Sequence, residues 1–394
     1  MGVIWEPDRS PEEDRWYKLA DRLSLEYFAP LAAELDREQR YPYEHIEVMK
    51  EHGLTGLFLP RQYGGQGASL SAVVGVVERV AEACASTAAI LAAYQLGAFP
   101  VLLAGREDQK QKYLGGMARG IAVCFALSER GAGSDAAAIN ASATREGNGW
   151  RLKGEKCWLG NGGVSQHYIF FAKTNPEAKG RGITAFMVDK DQDGVTIDFF
   201  EDKMGIRGTL TSNLKVDTVV PDEAMLGEPG RGLSLALRTL NVGRVTVAAQ
   251  AIGIGLAAWR AAGRYAMERY TFGQPIIDHQ AIGFRLADVA TELSAARMML
   301  WQAARAYDQG RDIATLGAMA KLYASEVSHR AVDAAVQIYG GAGYVKPNPV
   351  ERYYRDQRIT EIYEGTSEIQ RLVVARAIRK EMEADAPPRA EAGI

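Results

Sequence analysis

Apolar residues recur at three- and four-residue spacing through "WYKLADRLSLEYFAPLAAEL", Trp16 to Leu35, and an Ala-rich run continues the same periodicity from Ser69 to Leu96. The chain from about Ser10 to Ala118 therefore reads as helical, interrupted by a glycine-rich turn, "GLFLPRQYGGQG", Gly56 to Gly67. From Ile121 to about Gly227 the pattern shortens to β-branched and aromatic runs such as "HYIFFAKT" and "GITAFMV". Turn signals that include Asn148-Gly149 in "EGNGW" separate these runs. After "GEPGRG", Gly227 to Gly232, helical periodicity returns and holds to about Met382. The long segments Leu233 to Tyr270, Gln280 to Gln309 and Ile313 to Tyr339 can bury their apolar stripes only against one another, as in a helix bundle. The pattern thus predicts three domains: all-α over 1–120, a compact β domain over 121–230 and a helical bundle over 231–394. The polar tail "EADAPPRAEAGI" is expected to fray.

Composition narrows the function classes. With 394 residues, 47% hydrophobic, 24% charged and a formal net charge of −3, the chain has ample core and no basic excess for a nucleic-acid partner. The uncharged stretch "VTVAAQAIGIGLAAW", Val245 to Trp259, is shorter than the roughly 20 apolar residues of a membrane span. No span is expected. "MGVIWEPDRSPEEDR" places acids where a secretory signal needs an apolar core, and Glu6 fails the myristoylation pattern. Three cysteines without CxxC spacing suit a reducing, cytoplasmic setting, and five histidines without HExxH or a Cys/His cluster give no metal site.

Several short stretches carry candidate chemistry. "GIGLAA", Gly253 to Ala258, has dinucleotide-fingerprint spacing but lies inside a helical pattern with no preceding strand, so its small residues read as close helix packing. "FALSERGAGSD", Phe125 to Asp135, ends a strand in a Gly/Ser/Asp turn that offers N–H groups and hydroxyls to a polar ligand edge or a phosphate, or is simply a turn fixed by Asp135. "EKCWLGNGG", Glu155 to Gly163, sets Trp158 beside a second such turn, either as core or as a stacking wall. "RYTFGQPIIDHQ", Arg269 to Gln280, gathers Arg269, Thr271, Phe272, His279 and Gln280 between helices, a set that suits a pyrophosphate and an adenine or forms an ordinary surface loop. "QIYGGAGY", Gln337 to Tyr344, joins a helix end to glycines that permit close backbone approach. In "TEIYEGTSEIQR", Thr360 to Arg371, Glu364 precedes Gly365, while "SEIQ", Ser367 to Gln370, fits a capping box. There the acid is a helix-entry residue or a catalytic carboxylate.

Taken together, "ALSERGAGSD", "GEKCWLGNGG", "RYTFGQP", "QIYGGAGYVKPNPVERYYRD", "ITEIYEGTSEIQRLV" and "GLFLPRQYGGQG" resemble, in order and spacing, the signatures of the acyl-CoA dehydrogenase family over nearly the whole chain. The resemblance implies an α+β multi-domain fold: an N-terminal helical domain, a middle β-barrel and a C-terminal four-helix bundle. It also implies a homotetramer holding FAD partly across a subunit interface. Its flavin contacts fall on Phe125, Leu127, Ser128, Gly133, Ser134, Trp158, Gly160, Arg269, Thr271, Phe272, His279, Gln280, Gln337, Gly340, Gly341, Thr366 and Glu368. Ser134, Asn241, Arg244 and Gly365 would touch the acyl thioester or its carrier arm, and Glu364 matches the catalytic base. Some branches carry that base on the helix reading "LNVGR" here, where the matching position is Gly243.

What the resemblance implies is α,β-dehydrogenation of a fatty acyl-CoA to the trans-2-enoyl-CoA, with an electron-transfer flavoprotein as electron acceptor. Two departures stand out. Gly160 replaces a Thr or Ser whose hydroxyl bonds near flavin N5, which points to raised oxygen reactivity, and Asn241 replaces an Asp ahead of Arg244. Ala88, Ala89 and Ala92 on the pocket-closing helix leave room for a short to medium straight or branched chain, or only pack a neighbouring helix. Alternatives within the fold are an acyl-CoA oxidase, a dehydrogenase of carrier-protein-bound acyl groups and, more distantly, a binding or repair member lacking this chemistry.

Overall fold

The computed structural model describes residues 2–385; of the tail expected to fray, Glu383 to Asp385 are the last residues of a helix and 386–394 lie outside the described residues. Six helices come first: α1 (Pro11–Leu23), α2 (Ala29–Glu38), α3 (Tyr43–Glu51), α4 (Leu70–Ala83), α5 (Ala85–Ala104) and α6 (Glu107–Ala118). The run that reads as one helix from Ser69 is two. Cys84 adopts an extended conformation (φ −150°, ψ 106°) and breaks it, and α5 then continues to Ala104. At 20 residues α5 has the length and composition to cross a membrane, as does α7 (Gly232–Glu268), so length does not argue against a span. Burial accounts for both helices: 67% and 94% of their most apolar windows are covered within the chain, as befits core helices.

The strands are β1 (Val123–Ala126), β2 (Ser142–Glu146), β3 (Gly149–Gly160), β4 (His167–Lys173), β5 (Ile183–Asp189), β6 (Val195–Phe200), β7 (Thr211–Pro221) and β8 (Met225–Leu226). They form one eight-stranded sheet in the order β6-β7-β3-β2-β4-β5-β8, with β1 added in parallel to β4. Inside it Leu152, Tyr168, Phe170, Phe186 and Val216 form a core of their own. The β2–β3 hairpin pairs Glu146 with Gly149, so its turn residues are Gly147-Asn148, one position earlier than the sequence signal, because Gly147 takes the positive φ (+58°). β3 and β7 pair down to Lys156↔Leu214 and resume at Leu159↔Ser212, leaving Cys157 and Trp158 opposite Asn213 alone. This β-bulge places Trp158 at φ +58° and turns its ring out of the sheet.

After α7 come a small hairpin of β9 (Tyr270–Thr271) and β10 (Gln274–Pro275), then α8 (Gln280–Asp308), α9 (Ala314–Tyr339), α10 (Pro349–Gln357) and α11 (Ser367–Asp385). In α7, a Cβ on Gly253 would strike the Glu78 carbonyl of α4, and one on Gly255 would lie 2.9 Å from Leu293 and Ser328. "GIGLAA" is close helix packing. The Asp308 carboxylate of α8 receives Leu70 N–H at 2.7 Å and Ser71 N–H at 3.0 Å, capping α4 from another domain. Arg297 and Glu78, both buried, pair at 2.7 Å between α8 and α4. The two helical regions therefore share one core.

Candidate active site

The Ile359–Thr366 segment enters α11 through Glu364, which sits at φ +52°, a conformation rare for a residue with a Cβ. Thr366 caps the helix by accepting Ile369 N–H at 3.3 Å. The cap is therefore one residue earlier than "SEIQ" predicts, because Gln370 turns inward. Its Nε2 donates to the Gly365 carbonyl at 2.8 Å and to the Glu364 carbonyl at 3.3 Å. Lys321 of α9, fully buried, donates to the same Gly365 carbonyl at 2.8 Å. On the other side the Tyr363 hydroxyl donates to Gln250 Oε1 on α7, and Gln250 Nε2 donates to the Ala85 carbonyl at 3.3 Å. The loop is thus anchored to α5, α7 and α9.

The Glu364 carboxyl lies against Gly243 of α7. A Cβ on Gly243 would overlap Oε2 outright and stand 2.7 Å from Cδ, so the absent side chain is the space the acid occupies. Oε2 is shielded from solvent and has no hydrogen-bond partner. Burial pushes the Glu364 pKa up to about 7 against the opposing pull of the Lys321 and Arg244 charges. Burial likewise pulls Lys321 down to about 8, with Glu364 opposing it. Arg244, 4% exposed, donates to Asn241 Oδ1 at 2.9 Å, while its Nε is unpartnered. A neutral amide at 241 leaves Glu364 as the acid that faces Arg244.

A second group of residues lies on the β domain. Lys156, buried, donates to the Leu127 carbonyl at 3.0 Å and to Glu129 at 2.8 Å. Glu129 in turn accepts the Asn140 and Ala141 N–H groups at 2.6 and 3.0 Å. These bonds fix the strand-end loop carrying Phe125, Leu127, Ser128, Gly133 and Ser134, and Cys157 N–H bonds to the Ser128 carbonyl at 3.0 Å to set the Trp158 bulge beside it. Trp158 is 51% exposed, so it is a wall and not core. Gly133 and Gly160 would each meet no atom within 4 Å if given a Cβ, unlike Gly154 or Gly182, which pack on backbone. The backbone there faces open space.

The third group lies elsewhere. Arg269, Thr271, Phe272, His279 and Gln280 follow the C-terminal end of α7, and Gln337, Gly340 and Gly341 follow nearby at the end of α9, where Tyr339 stacks on Tyr265 at 4.1 Å. Gln274 Nε2 donates to His279 Nδ1 at 3.1 Å, which directs His279 Nε2 at Thr271 Oγ1, 3.0 Å away. Phe272 is 98% exposed at the hairpin tip, and Gly340 and Gly341 again face open space. Residues 243 to 269 of α7 place this group about 39 Å from Glu364 at 1.5 Å per residue. No single FAD bridges that length. The residues expected to contact flavin therefore fall into separate groups on one chain, with Thr366 and the exposed Glu368 beside Glu364 at the entry to α11.

Family models for the N-terminal, middle and C-terminal domains of acyl-CoA dehydrogenase match residues 10–121, 124–219 and 230–379. The chain belongs to the acyl-CoA dehydrogenase family. It is 44% identical over 351 residues to the mouse mitochondrial short-chain specific acyl-CoA dehydrogenase, covering 88% of this chain and 85% of that protein. It is 42% identical over 372 residues to the probable acyl-CoA dehydrogenase FadE25 of Mycobacterium tuberculosis, covering 93% and 96%. Butyryl-CoA dehydrogenase from Megasphaera elsdenii has the same fold, with a TM-score of 0.93, 37% identity and coverage of 95% of this chain and all of that one. The protein is an oxidoreductase of a flavoprotein family, and the open glycines with the outward Trp158 ring fit FAD.

Sequence motifs do not point to Lys321, Gln250 or the Lys156–Glu129 pair, and they give Gln370 only a capping role. Lys321 does carry a signal, a lone cation within the apolar run "AMAKLYA". Gln250 acts from α7 on the Tyr363 hydroxyl and the Ala85 carbonyl, which no local pattern encodes.

Proposed function

We propose that this enzyme dehydrogenates a fatty acyl-CoA thioester between its α and β carbons, giving the trans-2-enoyl-CoA, with Glu364 taking the α-proton. The observation that carries the reading is the Glu364 carboxyl itself: buried against Gly243, with one oxygen unpartnered and a pKa near neutrality. A general base works best with a pKa near the operating pH and an acceptor oxygen not already bonded. FAD, when bound, supplies acceptance of the β-hydride. Phe125 to Ser134, Trp158, Gly160, Thr366 and Glu368 hold it on this chain. Lys321 and Gln370 lock the Gly365 carbonyl, which fixes the backbone on either side of the base. Ser134, Asn241, Arg244 and Gly365 line the approach of the thioester.

Arg269, Thr271, Phe272, His279, Gln280, Gln337, Gly340 and Gly341 complete the cofactor site of a second copy in a homotetramer, which is why all of them but the half-buried Thr271 and His279 stand exposed on one chain. Electrons leave to an electron-transfer flavoprotein. Anaerobic mixing with an acyl-CoA series tests the reading: flavin bleaching and enoyl product are expected, and a flavin left fully oxidised by every member would sink it.

Two further results are expected. In the ligand-free enzyme Glu364 is protonated below pH 7, so kcat/KM should fall about tenfold per pH unit under about pH 6 and level off above the Glu364 pKa. A profile flat from pH 5 to 8 would remove this carboxyl as the titrating base. At Gly160 the open space admits a side chain, so Gly160→Thr should fold, bind FAD and produce less peroxide in air than the natural enzyme. Equal peroxide from both would show that the missing hydroxyl does not govern oxygen reactivity.

A further inference from the structure

Among the described residues, two lysines are fully buried, and they are held differently. Lys156 of the β domain meets a carboxylate, Glu129, at 2.8 Å, the usual compensation for a buried ammonium. Lys321 of α9 forms no ion pair among the described residues. Its Nζ donates instead to a neutral group, the Gly365 carbonyl, at 2.8 Å. That carbonyl already accepts Gln370 Nε2 at 2.8 Å, so an amide alone fixes its direction. What Lys321 adds is charge.

The charged groups facing Lys321 are Glu361 and Glu364 of the base loop, Arg244 of α7 and Glu368 of α11. Glu361 is bound by His329 at 3.1 Å and by Arg358, and Glu368 is exposed. Arg244 is occupied by Asn241. Glu364 is the facing carboxylate whose buried oxygen has no partner, and the charges it faces are those of Lys321 and Arg244. A salt bridge would occupy the oxygen that must receive a proton. A charge seated on the next carbonyl favours the carboxylate and leaves that oxygen free.

We propose that Lys321 is a positioning residue for the base: anchored on the Gly365 carbonyl, its ammonium favours the carboxylate form of Glu364 without capturing an oxygen. The assignment rests on the reading of Glu364 as the base. Removing the charge leaves burial opposed by Arg244 alone, so Glu364 would keep its proton to higher pH.

The test uses Lys321→Met, which removes charge and hydrogen bond, and Lys321→Gln, which removes the charge and keeps a donor, both in the FAD-loaded enzyme. In each, the acidic limb of kcat/KM should move up by about one pH unit or more, a loss of about tenfold at pH 6 that fades by about pH 9. A merely structural lysine would lower FAD content or melting temperature in Lys321→Met and leave the limb in place in both variants. An unmoved limb in either folded variant overturns the assignment. Coupling is mutual, so one further measurement needs no lysine variant to fold: Glu364→Gln should lower the Lys321 pKa from about 8, read from its ¹³Cε resonance. An unmoved Lys321 titration there also overturns the assignment while leaving Glu364 as the base. Turnover of Glu364→Gln near the natural rate would remove both.

Discussion

Glu364→Gln is expected to retain FAD and fold while losing roughly 10²- to 10⁴-fold in turnover, the range that general-base removal commonly produces. The amide has the same shape but cannot accept the α-proton, so the loss should fall on kcat more than on KM. Stability gives an independent check with a definite sign. The folded-state pKa of Glu364 is about 7 against 4.5 for the free group, so between these values the folded protein holds a proton that the unfolded chain has released. Stability contributed by this residue therefore declines as pH rises from about 4.5 to 7. The neutral Gln variant should lack that decline, and its melting temperature relative to the natural protein should be higher at pH 8 than at pH 5. Turnover of Glu364→Gln near the natural rate, with an artificial electron acceptor and a good acyl-CoA, would remove Glu364 from the mechanism.

Gly243→Ala should be nearly as damaging, although it adds only a single methyl. That methyl would occupy the position of Glu364 Oε2. Either the carboxylate swings away or α7 retreats, and α7 is held by Gly253 and Gly255 packed closely on α4, α8 and α9. The carboxylate has the smaller restraint. A displacement of about 1 Å at a reacting group can cost about 100-fold, and a loss of at least that size in kcat is expected, with FAD content unchanged. Overpacking should also lower stability by about 1–3 kcal/mol. The discriminating comparison is Gly263→Ala, which has no atom within 4 Å of its Cβ and should behave as the natural enzyme. Matching kinetics for the two alanine variants would mean that Glu364 is not held against α7.

Much of this was legible in the chain. The bounds of α7, α8 and α9 follow from long amphipathic periodicity, which changes little over one or two end residues. The break at Cys84 was not legible, because alanines read as helical on both sides of it. Nor was the Trp158 bulge, since a strand aromatic reads as core until an extra residue is inserted opposite Asn213. For the site, motif order placed Glu364, whereas its environment comes from Lys321, Gln250 and Gly243 on other helices. Only the fold brings those residues together. The distance of about 39 Å along α7 between Gly243, against which Glu364 lies, and Arg269 just past its end is likewise a property of helix length that no motif contains.

That separation has a thermodynamic consequence. If each FAD is gripped by two protomers, the cofactor is also a ligand of the association equilibrium, and linkage requires the coupling to be mutual. Flavin then holds protomers together with the same free energy by which assembly retains flavin. A substitution at the exposed Phe272 tip, remote from Glu364 on its own chain, would weaken both at once.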